Sequence, residues 1–229
     1  SASAAGKGAY AARIALDSIE IRNKHRTDRI RPTSVSLHTD SAATRAEAAS
    51  GDLSLTFSTP QSADSLIAAL TRSARTLAGQ IDAQSIDMEQ LKPALPDFAL
   101  RVSAGPDNIL NSLLKSRKIA FDALNAEGAN CDSLPVSIRL RTEGLAYGNV
   151  VLDTVTADIR QNGKRLEYAL GLANAPGNLD NIARAGLYGH LVRNTGQANL
   201  YQRNRAGREG FRFGLDVTWT DSLVRASVT

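Results

Sequence analysis

The sequence predicts a mainly β chain of the α+β class: a curved antiparallel sheet with one apolar face, carrying a helical insertion of about three helices near residues 60–116. Three observations predict it. Leu134, Val136, Ile138 and Leu140 alternate with Pro135, Ser137, Arg139 and Arg141, and Leu166, Tyr168, Leu170 and Leu172 alternate with Glu167, Ala169, Gly171 and Ala173; a period of two sets each series on one side of a strand. Asn162-Gly163 supplies the left-handed backbone that a two-residue hairpin needs, so Val151–Ile159 and Leu166–Leu172 are expected side by side and antiparallel. Between Thr59 and Lys118 the apolar spacing changes to that of helices.

The chain opens with strand sequence. Ile14 and Leu16 share one parity, Ile19 and Ile21 the other, and the switch at Asp17-Ser18 predicts a β-bulge. Val35 and Leu37 continue the pattern, followed by Ala46 and Ala48 and then Leu53, Leu55 and Phe57. Ser50-Gly51-Asp52 between them is either a turn or a bulged bend. These segments form a first meander of three or four strands.

Thr59-Pro60 is expected to cap an amphipathic helix in which Leu66, Ile67, Leu70, Ala74 and Leu77 repeat up to Gly79. Ser85 opens a shorter helix with Met88 and Leu91, ended by Pro93, and Pro96 keeps the next segment extended. Phe98, Leu100 and Val102 return to period two. Gly105-Pro106-Asp107-Asn108 then opens a third helix with Ile109, Leu110, Leu113 and Leu114 on one side, and Lys115, Arg117 and Lys118 at its exit suit the negative end of the helix dipole. Ile119 and Phe121 resume the strands, which continue with turns at Gly128-Ala-Asn130, Gly148-Asn149 and Pro176-Gly177-Asn178. Leu187 and Leu191, Ala198 and Leu200, and the series Phe211, Phe213, Leu215, Val217 and Trp219 mark the later strands.

Composition bounds the function. The 229 residues are enough for one large β domain or two small ones, of which a single β-rich domain over 1–229 is expected, and aromatic residues make up only 5%, so the interior is aliphatic. The net charge of +4 arises from 27 basic and 23 acidic residues spread along the chain, which does not point to nucleic acid. The densest basic run, Arg22 to Arg31, reads as a solvated hairpin tip and, second, as a patch for anionic headgroups. The single Cys131 excludes an internal disulfide, and no apolar run is long enough for a spanning helix. The flexible beginning at Ser1 and the strand-like end at Ala226–Thr229 suggest a piece of a longer protein.

Chemistry-bearing patterns are sparse. His25, His38 and His190 lie far apart in different elements and are not spaced as metal ligands, so no metal or other cofactor is expected. There is neither a Gly-x-Ser-x-Gly elbow nor a phosphate loop. Asp153 and Asp158 read as acids on a polar strand face rather than a glycosidase pair. Gly186 and Gly189 read as places where backbones approach closely. Tyr201–Arg208 reads as a polar hairpin loop rather than a stacking platform for nucleic acid. No enzymatic activity is expected.

Several segments resemble the AsmA-like and TamB family of bacterial envelope proteins, particularly its long Bacteroidetes members. They are Ala12–Lys24 (ARIALDSIEIRNK), Thr39–Ala42 (TDSA), Ser50–Phe57 (SGDLSLTF), Leu95-Pro96, Ala104–Leu110 (AGPDNIL), Leu152–Val155 (LDTV) and Gln161–Gly163 (QNG). The resemblance implies a trough-like sheet, the β-taco, that carries phospholipid acyl chains across the periplasm. It also implies a parent chain anchored in the inner membrane and an outer-membrane partner of the Omp85 class. The expected groove residues are Ile14, Leu16, Leu53, Leu55, Phe57, Val136, Ile138, Leu140, Leu166, Tyr168, Leu170 and Leu172. A plain trough does not need the helices near Leu66, Met88 and Ile109, which are expected to plug or cover one end. The residues themselves leave two arrangements open: aliphatic faces lining a groove, or the same faces sealed together as the core of a β-rich module that binds protein or polysaccharide.

Overall fold

The computed structural model describes residues 2–4, 9–17, 19–22, 27–174, 183–220 and 223–228. Ser18, His25 with the tip of the basic run, and the link at Pro176–Asn178 lie outside them.

The chain begins with β1 (Ala2–Ala4), β2 (Tyr10–Leu16), β3 (Ile19–Arg22), β4 (Thr27–Ile30), β5 (Thr33–Thr39), β6 (Thr44–Ser50) and β7 (Leu53–Thr59). Next come α1 (Ala63–Asp82), α2 (Met88–Ala94), β8 (Phe98–Ala104), α3 (Ile109–Lys115) and β9 (Ile119–Ala120). The rest is β10 (Ala123–Cys131), β11 (Leu134–Tyr147), β12 (Val150–Asn162), β13 (Arg165–Asn174), β14 (Arg184–Val192), β15 (Thr195–Arg203), β16 (Glu209–Thr220) and β17 (Leu223–Val228). The main sheet follows chain order, β1-β2-β5-β6-β7-β8-β10-β11-β12-β13-β14-β15-β16-β17, with antiparallel neighbours. β9 pairs only with the end of β11, and β3 pairs with β4 in a separate ribbon. Among the described residues the structure is mainly β with three helices, and the sheet is not closed.

Several local expectations change. The phase switch after Leu16 is the place where the chain leaves the main sheet for the β3–β4 ribbon, not a bulge within one strand. Ser50-Gly51-Asp52 is a turn: Ser50 pairs with Leu53, and Gly51 has φ 58°. Thr59 does not cap α1 because it is held by the ladder as the partner of Thr44. The cap is Ser62, whose side chain accepts the Ser65 N–H, and α1 runs past Gly79 to Asp82. Asp87 rather than Ser85 caps α2, and Pro93 sits inside its last turn. Gly128-Ala-Asn130 is not a turn, since Gly128 lies between Leu100 and Ile138 within three paired strands. The Asn162-Gly163 hairpin turns one residue later than expected: Asn162 still pairs with Arg165, leaving Gly163-Lys164 as the loop with φ 59° at Gly163. β8 divides the helical insertion, placing α1 and α2 on one side of a sheet strand and α3 on the other.

The helices bend the sheet. The Ala63 N–H donates to Thr39 Oγ1 on β5 at 3.0 Å, while Ile81, near the other end of α1, lines a cleft with Val217 and Trp219 of β16. Ten strand steps separate β5 from β16, about 48 Å at about 4.8 Å each. The helix between Ala63 and Ile81 reaches only about 27 Å. The sheet therefore curls toward α1, which crosses its rim like a bar.

α1 rests on α2 through small and polar groups. Ala69, Ser73 and Gln80 are its buried residues. Ser73 Oγ donates to the Ala94 carbonyl at 2.6 Å, and the Gln80 side chain both donates to and accepts from the Asp87 backbone, at 2.9 and 3.1 Å. α2 in turn sits on the sheet: Met88 and Leu91 are buried with Val136, flanked by Ile86, Leu95 and Leu166. Backbone bonds between Ile86 and Arg193, and the Lys164–Glu89 ion pair at 3.0 Å, fasten this rim.

The opposite rim is held by α3. Asn108, its cap, accepts the Asn111 N–H at 2.9 Å and donates through Nδ2 to Asp52 at 2.6 Å. Asn111, also buried, donates to the Phe121 carbonyl at 2.8 Å and accepts from its N–H at 3.2 Å.

Removing the Met88 side chain is expected to lower stability to urea by about 2–5 kcal/mol, the range for large-to-small core changes, while far-ultraviolet dichroism stays dominated by strand. Partial burial raises the Asp52 pKa, but the Asn108 amide and the Asp107 and Gly105 N–H groups outweigh it and hold the carboxyl below its ordinary value. A depressed folded-state pKa gives stability that is present above the unfolded carboxylate range and lost as pH falls through the folded value. Denaturation midpoints across the acid range are therefore expected to fall less steeply for Asp52→Asn than for the native chain.

Candidate functional site: the apolar face of the sheet

Register decides which side chains share a face, because paired residues in an antiparallel ladder point the same way. One row runs Ile14–Val35–Ala48–Leu55–Val102–Ala126–Leu140–Ala157–Leu170–Leu187–Leu200–Phe213 from β2 to β16. The next row on the same face is Ala12–Leu37–Ala46–Phe57–Leu100–Gly128–Ile138–Ile159–Tyr168–Gly189–Ala198–Leu215–Val228. The Tyr168 hydroxyl is the only polar side-chain group in either row, and it is satisfied by donating to the Gln197 carbonyl at 2.9 Å. Leu16 and Leu53 lie toward the α3 rim, joined through Thr33 and Ser50; Leu172 lies beside Val155 at that same level of its strand. Val136 and Leu166 lie toward the α1–α2 rim. Every groove residue expected from the sequence thus belongs to one continuous face.

That face is only partly covered: Leu55, Phe57, Leu100, Val102, Leu140, Ile159, Tyr168 and Leu187 are half-buried, and other members of the rows are exposed. Ile14 is 60% exposed, Ile138 44% and Leu170 43%. Val136 and Leu166 differ, because α2 packs on them. Among the described residues seven apolar residues are buried, against 24 large apolar side chains that are exposed. The accessible surface is 14680 Å², whereas a compact monomer of 24.4 kDa exposes about 10,000 Å². The aliphatic rows do not seal onto one another.

Close approach keeps the face smooth. Gly189 faces the Tyr168 hydroxyl and the Gln197 carbonyl so closely that a β-carbon there has no room. Gly196 lies beneath the Trp219 ring and Leu191. The Tyr168 phenol is pushed above its ordinary pKa by burial, so it stays a neutral donor.

The reverse face is polar and braced by ions. Its central row reads Arg13–Ser36–Glu47–Thr56–Arg101–Glu127–Arg139–Asp158 across eight strands. Arg101 pairs with Glu127 at 3.3 Å and Arg139 with Asp158 at 3.4 Å. Exposed pairs of this kind contribute about 0–1 kcal/mol each and chiefly keep one side wet. His38 and His190 lie on this face. Cys131 is the last residue of β10 and forms no disulfide.

Comparison with family models, with curated proteins and with solved structures finds no match for this chain. The geometry of the face therefore carries the functional reading.

Sequence reasoning nominated the rows only in part. Val35, Leu37, Leu100, Val102, Ile159, Leu187, Leu200 and Phe213 belong to them equally, and the signal that finds them is the one used for their neighbours, alternation within each strand. Replacing Tyr168 by Phe removes the bond to Gln197 and is expected to reduce stability by about 0.5–1.5 kcal/mol, read as a shift in urea midpoint without a change in slope.

Proposed function

We propose that this chain is part of an envelope scaffold of the AsmA-like and TamB type that shelters phospholipid acyl chains as they cross an aqueous gap. The observation that supports it is the pair of in-register apolar rows, continuous over the sheet and left open to solvent. No catalytic group is needed. Each methylene transferred to water costs about 0.8 kcal/mol, so an aliphatic surface that covers a chain while its headgroup stays wet lowers the barrier to crossing. Contacts of this kind are weak and non-directional, and with no charged side chain in the rows a chain can slide from one strand to the next. The ionic reverse face keeps such a sheet in water without a second layer.

The setting belongs to the same proposal. By the resemblance alone, we propose that the chain lies in the periplasm, within a longer parent anchored in the inner membrane and acting with an outer-membrane protein of the Omp85 class. A β-rich module that binds protein or polysaccharide is the alternative; it requires a sealed interior, and the excess of exposed apolar surface weighs against it.

Ile138→Asp and Leu170→Asp each place a carboxylate in a central row at a position already open to water. Both variants are expected to keep the native dichroism spectrum and to lose co-purifying phospholipid, counted by mass spectrometry of the intact protein. Lipid retained at the native level by both would overturn the assignment.

A further inference from the structure

α1 presents an apolar stripe that its own packing does not use. Ile67, Leu70, Ala74, Leu77 and Ile81 follow helical spacing, yet the helix is buried through Ala69, Ser73 and Gln80. Ile67 is 62% exposed and Ile81 59%. At its C-terminal end the stripe meets the sheet again across a cleft of about 370 Å³, where Ile81 and Ile86 stand opposite Val217, Trp219 and Val224. Val217, Trp219 and Val224 lie on the apolar face, Val217 two residues from Leu215 of the central row.

We propose that this cleft seats the end of one acyl chain, making the last turn of α1 and the β16–β17 edge the place where a chain enters or leaves the sheltered face. This rests on the reading of that face as a lipid trough. Three features select a hydrocarbon chain over a headgroup. The lining contains no ionisable residue. Of the polar side chains there, Gln80, Gln84 and Ser85, the Gln80 amide is the buried one, and it is already bonded to the Asp87 backbone on both sides. The apolar surface is continuous with the central rows, so a chain lying in the trough reaches the cleft without crossing a polar side chain.

Trp219 is the only tryptophan in the sequence, so its fluorescence reports on this cleft alone. The test loads the full chain with phosphatidylcholine bearing dibrominated acyl chains, uses the unbrominated lipid as reference, and counts bound lipid by mass spectrometry. Bromine near the indole quenches it, and quenching is expected for the brominated lipid only. Ile81→Asp is expected to raise the lipid concentration for half-quenching about tenfold, the effect of roughly 1.4 kcal/mol, with dichroism unchanged because the side chain is exposed. Bound lipid with equal emission from both lipid types would overturn the seat and leave the trough reading standing. Failure of the native chain to bind either lipid would overturn both. Sedimentation is expected to show a monomer for native and variant chains; a native dimer that Ile81→Asp dissociates, without quenching, would make a second copy the occupant and overturn the proposal.

Discussion

The arrangement depends on register. A strand's side chains alternate faces with a period of two, so a slip of one residue in any ladder would turn every following apolar side chain outward. The central ladders run from β2 to β16 without such a slip. The shifts between Ala129 and Cys131, Leu152 and Thr154, and Gln202 and Arg203 lie near strand ends, away from the middle of the rows. Tight turns at Gly51, Gly148 and Gly163, each with positive φ, let successive strands reverse without adding a residue to the count. Face identity is thereby carried along the sheet from one hairpin to the next.

A sheet with a single apolar face normally buries it against a second layer. Here the helices do so only at the rims. α2 covers Val136 and Leu166, α3 is tied to Asp52 and Phe121 by Asn108 and Asn111, and α1 bridges the curve. The remaining surface leaves its aliphatic groups half-buried or exposed. α1 carries the same imbalance at smaller scale, since small and polar residues fix it to α2 while its larger apolar side chains face away. Contact with water over so much apolar surface is unfavourable, and the hydrocarbon ligand proposed above would relieve it.

The two faces also differ in how they are stabilised. On the polar side, alternating Arg and Glu or Asp residues on adjacent strands pair across the ladder, as Arg101 does with Glu127 and Arg139 with Asp158. On the apolar side the two central rows hold only the Tyr168 bond to Gln197 as a side-chain hydrogen bond, and the other directional contacts lie toward the rims, such as Thr33 to Ser50 and Thr39 to Thr44; the Phe57–Phe98 stack has centroids 6.5 Å apart. Fixed geometry on one face and undirected contact on the other suit a rigid support for a mobile ligand.

Most of the sheet was legible in the sequence, because alternation is a local property: Val136 and Ile138 must share a side of their strand whatever the rest of the chain does. The helices at Leu66, Met88 and Ile109 were legible for the same reason. Boundaries were less so. Thr59-Pro60 has the chemistry of a cap, yet pairing with Thr44 keeps Thr59 in the sheet, and Gly128-Ala-Asn130 has the composition of a turn, yet two flanking strands hold it extended. The buried side of α1 was not legible, since helical periodicity identifies an apolar stripe but not what touches it. The amino-acid order by itself determined which side chains stand together. Whether they are covered was decided only by tertiary structure, because covering a face depends on how far the sheet curls and where the helices land, and both arise from contacts between residues distant in the chain.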